Sequence, residues 1–459
     1  MRSNRPYHKS PVSITLFATH PSSKEIQIAT ACATYDLLCA ETLERALTGA
    51  PFYASWRPLD PGPSRPLAER FAALPVLTKR DVRANVPGGF IWTERSAAQG
   101  FASGEVEIVT TSGTSDERLS VTWHQEWWDR SERAAARLHP TLADIFSAPH
   151  REAVLTTPVC GNAACHVGNA SMAERTLDNL LFLNQSADPT SWDDRAVKRM
   201  AAELQQFSPA VLEADPAYLG ILCRMAARAG VSLLPPRCIV LTYELPSLLH
   251  QRWIARMFPG VPVVSSYGST ETGHVLTQCE AGVFHQNTAT CRIDLQPFRP
   301  ERGGENLARL LVTTLDNPWF TLLHFDIGDI VRLREDPCRC GRSDGLVVEG
   351  IEGRCADLTF DAQGRTITAA ALDRAVGTIE ALSGYQVAQG ADGALSVRYS
   401  VEAGGEASAA HELRCGLLQL YGEGTDIRLR REPALPPEQS GKFRLSRSRL
   451  LPPLADLLA

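Results

Sequence analysis

Residues 262–273 read PVVSSYGSTETG, and this stretch decides the fold. Val263 and Val264 predict a short buried strand, and the Ser, Gly and Thr residues that follow them predict its end. Hydroxyls and backbone N–H groups at a strand end lie where α/β sheets bind their ligands. The Thr270 hydroxyl can donate to a phosphate oxygen, and the neighbouring Glu271 carboxylate can hold Mg²⁺ against the same phosphates. Taken alone, the stretch is equally compatible with an ordinary loop.

The chain has 459 residues, which is enough for two or three domains. Its hydrophobic content of 44% and charged content of 21% are ordinary for a soluble globular protein. The net charge of −6 gives no reason to expect nucleic acid or an anionic membrane as a partner, and no apolar stretch is long enough to span a bilayer. The first residues, MRSNRP, precede no apolar signal core, so we expect a cytoplasmic protein. In that compartment the twelve cysteines are expected to be free thiols or metal ligands rather than disulfides.

A second strand end upstream has a similar composition. Residues 106–109 predict a strand that runs into the sequence TTSGTS at residues 110–115. A glycine flanked by hydroxyl residues lets the backbone approach an anion closely, although such runs are more often plain turns. Trp123, Trp127 and Trp128 follow, at what the pattern predicts is a helix start. Aromatic residues in such a position are more often core than the wall of a ligand site.

Residues 195–273 alternate between helix and strand patterns. Apolar residues recur at i, i+3, i+7 and i+10 from Val197 to Phe207, which is the spacing of an amphipathic helix. The segment CIVLTYE predicts a strand that Glu244 ends, and the opening stretch supplies the next strand. This β-α-β-α order indicates an α/β fold with a mostly parallel sheet. Residues 357–459 contain further alternating strands and a helix face, which predict a separate small α+β unit.

Four residues fit a zinc site. Cys279 and His285 lie six residues apart, and Cys338 and Cys340 follow in the sequence DPCRCGR. Together they are the donor set of a tetrahedral Cys₃His site, although the spacing within each pair is not that of a standard zinc finger. Four protein ligands leave no open position for chemistry, so we expect a structural Zn²⁺.

Seven segments together resemble the adenylate-forming superfamily and, within it, the phenylacetate–coenzyme A ligase branch. They occur in the family's order over residues 43–445, and the ordered set is far more specific than any one of them. The resemblance implies a large N-terminal adenylation domain over residues 1–355 and a small mobile C-terminal domain over residues 356–459, which carries Lys442. The segments are PFYASW…LPVLTKRDVR, TTSGTS, ADPAYL, SSYGSTETG, FDIGDIVRL, CRCGR…IEGR and SGKFR.

The resemblance also implies a role for each site residue. The TTSGTS loop grips the phosphates of ATP, Thr270 binds the α-phosphate and Glu271 holds Mg²⁺. Asp329 accepts the two ribose hydroxyls, and Arg354 reaches the same sugar. Lys442 is the catalytic cation, because a carboxylate that attacks the α-phosphorus is one anion meeting another. The implied nucleotide-binding residues are Thr111, Ser112, Gly113, Thr114, Ser115, Glu244, Tyr267, Gly268, Thr270, Asp329 and Arg354.

The implied reaction is ATP-dependent activation of a carboxylic acid to an acyl-adenylate, followed by transfer to coenzyme A. ATP, Mg²⁺, coenzyme A and a structural Zn²⁺ are the implied cofactors. An aromatic acid is expected, held between Trp123 and the segment Tyr267–Gly268. Two alternatives stay open at this point. In the first, the acyl group passes to the pantetheine thiol of an acyl carrier protein or to an amine instead of coenzyme A. In the second, the chain is an inactive scaffold that contains zinc.

Four positions depart from the family's pattern. Asp116 and Glu117 stand where the phosphate loop usually continues with Gly-Lys, which places anions near the triphosphate. Glu244 occupies the family's turn against the adenine, but Tyr243 precedes it instead of a small residue. Ala356 stands at the hinge, where Asp or Lys is usual.

Overall fold

The structure, a computed structural model, describes residues 23–111, 118–158, 170–402 and 406–459. Ser112, Gly113, Thr114 and Ser115 of the predicted phosphate loop lie outside the described residues, as do Asp116 and Glu117. No helix in the described part of the chain combines the length and the apolar content that crossing a membrane requires.

Helices and strands alternate through most of the chain. The α-helices among the described residues are α1 (Ser23–Gly49), α2 (Leu67–Ala72), α3 (Lys79–Asn85), α4 (Ala97–Ser103), α5 (Gln125–Ala136), α6 (Pro140–Ile145), α7 (Asp194–Phe207), α8 (Pro216–Arg228), α9 (Leu248–Met257), α10 (Ala369–Val376) and α11 (Glu406–Tyr421). The strands are β1 (Glu107–Thr110), β2 (Ser120–Trp123), β3 (Glu152–Leu155), β4 (Thr176–Leu177), β5 (Leu180–Phe182), β6 (Val211–Ala214), β7 (Cys238–Leu241), β8 (Val263–Ser269), β9 (Gly273–Gln278), β10 (Phe284–Gln286), β11 (Cys291–Pro297), β12 (Leu307–Thr314), β13 (Phe325–Leu333), β14 (Val347–Arg354), β15 (Thr359–Phe360), β16 (Thr366–Ile367), β17 (Leu382–Gln389), β18 (Leu395–Val401), β19 (Ile427–Arg431) and β20 (Ser446–Ser448).

Twelve strands form one sheet in the order β11-β12-β13-β14-β10-β9-β8-β7-β6-β3-β5-β4. Strands β5, β3, β6, β7 and β8 run parallel to one another. Parallel neighbours need a long crossover connection, and α8 and α9 supply the crossovers from β6 to β7 and from β7 to β8. Helix α8 begins where the Asp215 side chain accepts from the backbone N–H groups of Ala217 and Tyr218, with Pro216 at its first position. The α/β class and the parallel arrangement predicted from the β-α alternation are confirmed here.

Strand β8 is longer than its sequence indicates. It continues past Val264 to Ser269, because β9 runs antiparallel beside it and pairs with its backbone. The prediction that the strand ends after the valines is therefore wrong, and the turn lies at residues 270–272. Gly268 suits this close pairing, since a Cβ at that position would overlap the Gly273 carbonyl oxygen. The predicted phosphate-binding hydroxyl thus follows a strand that is paired on both sides.

Three further positions differ from the sequence-based predictions. Trp123 is the last residue of β2, and the helix begins after it at Gln125. Glu244 does not end a strand, because β7 stops three residues earlier and Tyr243 adopts a left-handed backbone with φ of 73°. Val263 is 40% exposed rather than buried, since it begins β8 at the surface.

The C-terminal unit has a sheet of its own, in the order β19-β18-β17-β20. Helices α10 and α11 pack on it, and their apolar side chains share one core with those of the strands, including Leu372, Leu395 and Leu413. The α+β character predicted for this part of the chain is confirmed.

The large unit, which is the part of the chain that forms the twelve-stranded sheet and its helices, contains a buried ion pair between α7 and the segment before β4. The guanidinium of Arg175 is fully buried and donates to the carboxylate of Glu203. The same guanidinium donates to the Phe182 carbonyl oxygen (2.5 Å), and Arg199 donates to the second carboxylate oxygen of Glu203 (2.7 Å). Breaking such a pair leaves a buried charge without its counter-charge.

Glu203→Gln is expected to lower the free energy of unfolding by about 3 kcal/mol, because the buried Arg175 guanidinium loses its anion. Urea unfolding measures the change. Glu69→Gln is the matched control, since its pair with Arg65 is exposed and is worth less than about 1 kcal/mol. Equal losses for the two variants would contradict the assignment of Arg175–Glu203 as a core interaction.

Candidate active site

A cavity of about 1370 Å³ lies beside the ends of β7 and β8, and residues of the twelve-stranded sheet and of the C-terminal unit line it together. It is large enough for a nucleotide and a small acid. All the described residues that are predicted to bind the nucleotide, Mg²⁺ or the acid, or to act in catalysis, are on its wall. Those residues are Thr111, Trp123, Glu244, Tyr267, Gly268, Thr270, Glu271, Asp329, Arg354 and Lys442.

The turn after β8 presents the predicted phosphate and magnesium residues. The Thr272 N–H donates to the Ser269 carbonyl oxygen (3.1 Å), and the hydroxyl oxygens of these two residues lie 3.0 Å apart. Thr270 and Glu271 lie between them on the cavity wall, and Glu271 is only 8% exposed. Within the described residues neither side chain has a hydrogen-bond partner. A hydroxyl donor and a carboxylate oxygen are therefore free for a phosphate and Mg²⁺, which they fit chemically.

Asp329 lies opposite Arg354, because β13 and β14 pair in a register that makes these two residues cross-strand partners. The Arg354 Nε is 3.6 Å from Asp329 Oδ1, and the Tyr267 hydroxyl donates to Asp329 Oδ2 (2.8 Å). Burial and the neighbouring carboxylate of Asp329 raise the pKa of Tyr267 well above its ordinary value, so its hydroxyl remains a donor. The sequence indicates each of these residues but not the hydrogen bond from Tyr267.

Lys442 reaches the cavity from the C-terminal unit. Its Nζ donates to the Tyr243 carbonyl oxygen (3.2 Å). The neighbouring Gly441 packs so closely on the large unit that a Cβ there would overlap the Thr157 side chain, and its carbonyl accepts from the Tyr218 hydroxyl (3.0 Å). The loop that carries the lysine therefore contacts the large unit both through the ammonium and through the backbone of Gly441.

Two carboxylates lie near the lysine loop, namely Asp215, which is buried, and Glu244, which is half-buried. The Phe443 N–H donates to Glu244 Oε1 (2.6 Å), so the residue predicted to face the adenine also holds this loop. Burial raises the pKa of Asp215 to about 7, and burial together with Asp215 raises the pKa of Glu244 well above its ordinary value. Burial and the nearby Arg354 guanidinium lower the pKa of Lys442. Anionic phosphate bound at the ammonium would oppose this lowering.

Of the three tryptophans near α5, one is core and two line the cavity. Trp127 is 5% exposed, and its Nε1 donates to the Leu315 carbonyl oxygen (3.0 Å). The rings of Trp123 and Trp128 lie 4.4 Å apart, centroid to centroid, and Trp128 in turn lies 5.0 Å from the His274 ring. These rings form an aromatic part of the cavity wall.

The carboxylates on the cavity wall that escape the sequence-based predictions include Glu132, Glu152 and Glu213. The Tyr243 hydroxyl donates to Glu213, and His150 Nε2 lies 2.8 Å from Glu152 Oε1. Burial raises the pKa of Glu213 to about 7, and burial with the charge of Glu213 raises the pKa of Glu132 to about 8. One sequence signal exists for Glu213, since it interrupts an otherwise apolar strand, β6.

The four predicted zinc ligands lie together, although the chain separates them by up to 61 residues. Their ligand atoms all lie within 4.8 Å of one another. The sulfur atoms of Cys279 and Cys338 are 3.6 Å apart, and Cys340 Sγ lies 3.3 Å from His285 Nε2. Donors around a tetrahedral Zn²⁺ with Zn–S bonds near 2.3 Å are about 3.8 Å apart, so the four donors fit the ion.

No protein-family model and no curated protein matches the chain. Solved structures do match along almost its whole length. The structure of 2-hydroxyisobutyryl-CoA ligase in the postadenylation state, in complex with R3-HIB-AMP, is 15% identical and has a TM-score of 0.67, covering 92% of this chain and 89% of that one. An open conformation of the same ligase with 2-HIB-AMP and CoA is 16% identical, has a TM-score of 0.56 and covers 92% of both chains. Its thioesterification state is 15% identical, with a TM-score of 0.53 over 94% of this chain and 95% of that one. The chain therefore has the fold of the adenylate-forming enzymes, as the resemblance in its sequence predicts.

Proposed function

We propose that the protein uses ATP to convert a carboxylic acid to an acyl-adenylate and then transfers the acyl group to coenzyme A. The observation that carries this proposal is the position of Lys442, which reaches from the C-terminal unit into the cavity that Thr270, Glu271 and Asp329 also line. A cation, a hydroxyl donor and two carboxylates around one cavity match the needs of adenylation, in which negative charge must be neutralised as pyrophosphate leaves.

The chain's own residues would divide this work. Asp329 and Arg354 would hold the ribose, which fixes the α-phosphorus near the turn after β8. The Thr270 hydroxyl would donate to an α-phosphate oxygen, and Lys442 would bind the oxygens on which charge develops. Mg²⁺, when held by Glu271, would neutralise further phosphate charge. The docked loop of Lys442 covers this side of the cavity and limits the access of water.

The second half-reaction would need Lys442 to leave. Among the states of 2-hydroxyisobutyryl-CoA ligase, the chain has a TM-score of 0.67 with the postadenylation state and 0.53 with the thioesterification state. This difference supports an arrangement suited to adenylation. Rotation of a domain over residues 356–459 about the hinge near Ala356 would withdraw the lysine and admit the thiol of coenzyme A.

A panel of carboxylic acids tests the proposal, with release of pyrophosphate from ATP as the first measurement. The mass of the product, with and without coenzyme A, then separates a thioester from transfer to an amine or to a carrier-protein thiol. Absence of acid-dependent pyrophosphate release across the panel would favour an inactive scaffold.

An aromatic acid and a structural Zn²⁺ complete the proposal. The half-buried rings of Trp123 and Trp128 would face the ring of the acid, and each aromatic contact adds about 1 kcal/mol to its binding. The zinc would link the β9–β10 hairpin to the loop before β14. Strand β14 in turn carries Arg354 at its end. Its role would be mechanical, since all four of its positions are filled by protein.

Lys442→Ala is expected to slow acyl-adenylate formation by at least about 10²-fold, because the cation is lost when pyrophosphate leaves. Thioester formation from a synthetic acyl-adenylate should remain largely intact. Lys198→Ala, on the exposed face of α7, is the matched control. An equal loss of both half-reactions would mean that Lys442 is structural.

Purified protein is expected to contain one equivalent of zinc by elemental analysis. Cys338→Ser should remove the zinc. It should lower the unfolding temperature while changing kcat little, because the ion is structural. Cys415→Ser, which changes an exposed cysteine on α11, should retain the metal. A wild-type protein without zinc would contradict the assignment.

Trp123→Ala is expected to raise KM for an aromatic acid by about tenfold while changing KM for ATP little. The reason is the loss of buried ring area, at about 25 cal/mol per Å². Steady-state kinetics with each substrate varied in turn measures both constants. Equal rises for both substrates, or a clear preference for straight-chain acids, would exclude the aromatic assignment and leave the adenylation chemistry in place.

A further inference from the structure

The end of the cavity that is lined by α5 and by strands β3 and β6 is acidic. Glu152 on β3 pairs with Val211, and Glu213 on β6 pairs with Val154, so both carboxylates leave the same face of the sheet. Glu132 reaches the same cavity from α5. Three carboxylates from three separate elements therefore converge on one space.

Two arginines on the cavity wall pair with carboxylates other than these three. Arg374 donates to Glu352 (3.1 Å), and Arg444 donates to Asp357 (2.6 Å). Within the described residues, only His150 makes an ion-pair contact with any of the three carboxylates at the acidic end. The internal segments outside the described residues, SGTSDE at 112–117 and VCGNAACHVGN at 159–169, contain no lysine or arginine. The described residues thus supply little positive charge to this end of the cavity.

A second observation on the same wall also indicates a polar ligand. His274 lines the cavity beside Trp128, and its Nε2 is buried without a hydrogen-bond partner in the described part of the chain. Its Nδ1 lies 3.3 Å from the Ser266 hydroxyl oxygen. Burial lowers the pKa of His274 to about 4, so its ring is neutral and its free nitrogen is available for a hydrogen bond. Buried polar atoms without a partner are rare in proteins and need an explanation.

Tyr243 fixes the distance between the acidic end and the lysine. Its hydroxyl donates to Glu213, whereas its backbone carbonyl accepts from the Lys442 Nζ. The left-handed backbone at Tyr243, with φ of 73°, accompanies this arrangement. A group bound at Glu213 is therefore about the length of one tyrosine side chain from the ammonium that would bind the phosphate.

We propose that the acid which this site activates carries a protonated amino group, and that Glu213, assisted by Glu132 and Glu152, binds that group. The inference rests on the proposed function and names the class of its substrate. Buried carboxylates of like charge repel one another, and a cation among them relieves both the repulsion and the cost of burial. The rings of Trp123 and Trp128 suit the same cation, since aromatic faces attract ammonium groups.

The raised pKa values of Glu132 and Glu213 support this inference. Without a cation, burial favours the protonated carboxyl, and the pKa values rise to about 8 and about 7. An ammonium group at the same place favours the ionised carboxylate. In the competing account, the three carboxyl groups stay protonated and form a neutral wall for an acid that has no ammonium group.

A pair of acids of the same shape separates the two accounts. The probes are 4-(aminomethyl)benzoate and 4-ethylbenzoate, in which an ammonium group replaces a methyl group. At pH 8 and saturating ATP, kcat/KM for pyrophosphate release should be at least about tenfold higher with the aminomethyl acid.

Glu213→Gln should lose at least about tenfold of that preference for the aminomethyl acid, while KM for ATP stays unchanged. The reason is that the amide can still accept a hydrogen bond from Tyr243 but lacks the charge. Glu126→Gln, on the exposed side of α5, is the control and should keep the preference.

Direct binding measured by calorimetry ranks the same two acids without catalysis. Tighter binding or faster turnover of 4-ethylbenzoate would overturn this inference and leave the proposed function standing. Tighter binding of the aminomethyl acid without pyrophosphate release from either acid would support the binding chemistry and count against the proposed function.

Discussion

The contact between the Lys442 loop and the turn after β7 is the constraint on which the rest of the site depends. The turn offers the Tyr243 carbonyl to the lysine and the Glu244 carboxylate to the Phe443 N–H. These contacts close one side of the cavity and place the Lys442 ammonium near the predicted nucleotide residues. The turn can do this because β7 ends early and its backbone becomes left-handed.

The same turn connects the two halves of the cavity. On one side Asp329, Tyr267 and Arg354 form a polar cluster at the paired strands β13 and β14. On the other side Glu213 and the tryptophan rings form a wall that is acidic and aromatic. A substrate that fills both halves would therefore touch the C-terminal unit, the large sheet and α5 together.

The sequence predicts the fold class because its β-α alternation follows from local periodicity, and it indicates candidate nucleotide-binding residues because they occur in short segments that resemble those of a known family. The four predicted zinc ligands are chosen from their residue types, and the structure brings these four side chains together. The length of β8 is not predicted, since pairing with β9 overrides the weak strand propensity of its Ser and Gly residues. The acidic end is missed because Glu132, Glu152 and Glu213 meet only through strand register and helix packing, which no local pattern records.

The most direct test of this account is the structure of the protein with ATP and Mg²⁺ bound. The account predicts the Lys442 Nζ at about 3 Å from an α-phosphate oxygen and the ribose hydroxyls on Asp329. It also predicts Mg²⁺ on Glu271, at about 2.1 Å from a carboxylate oxygen. A nucleotide bound elsewhere, or bound in this cavity with Lys442 and Asp329 both out of contact, would contradict it.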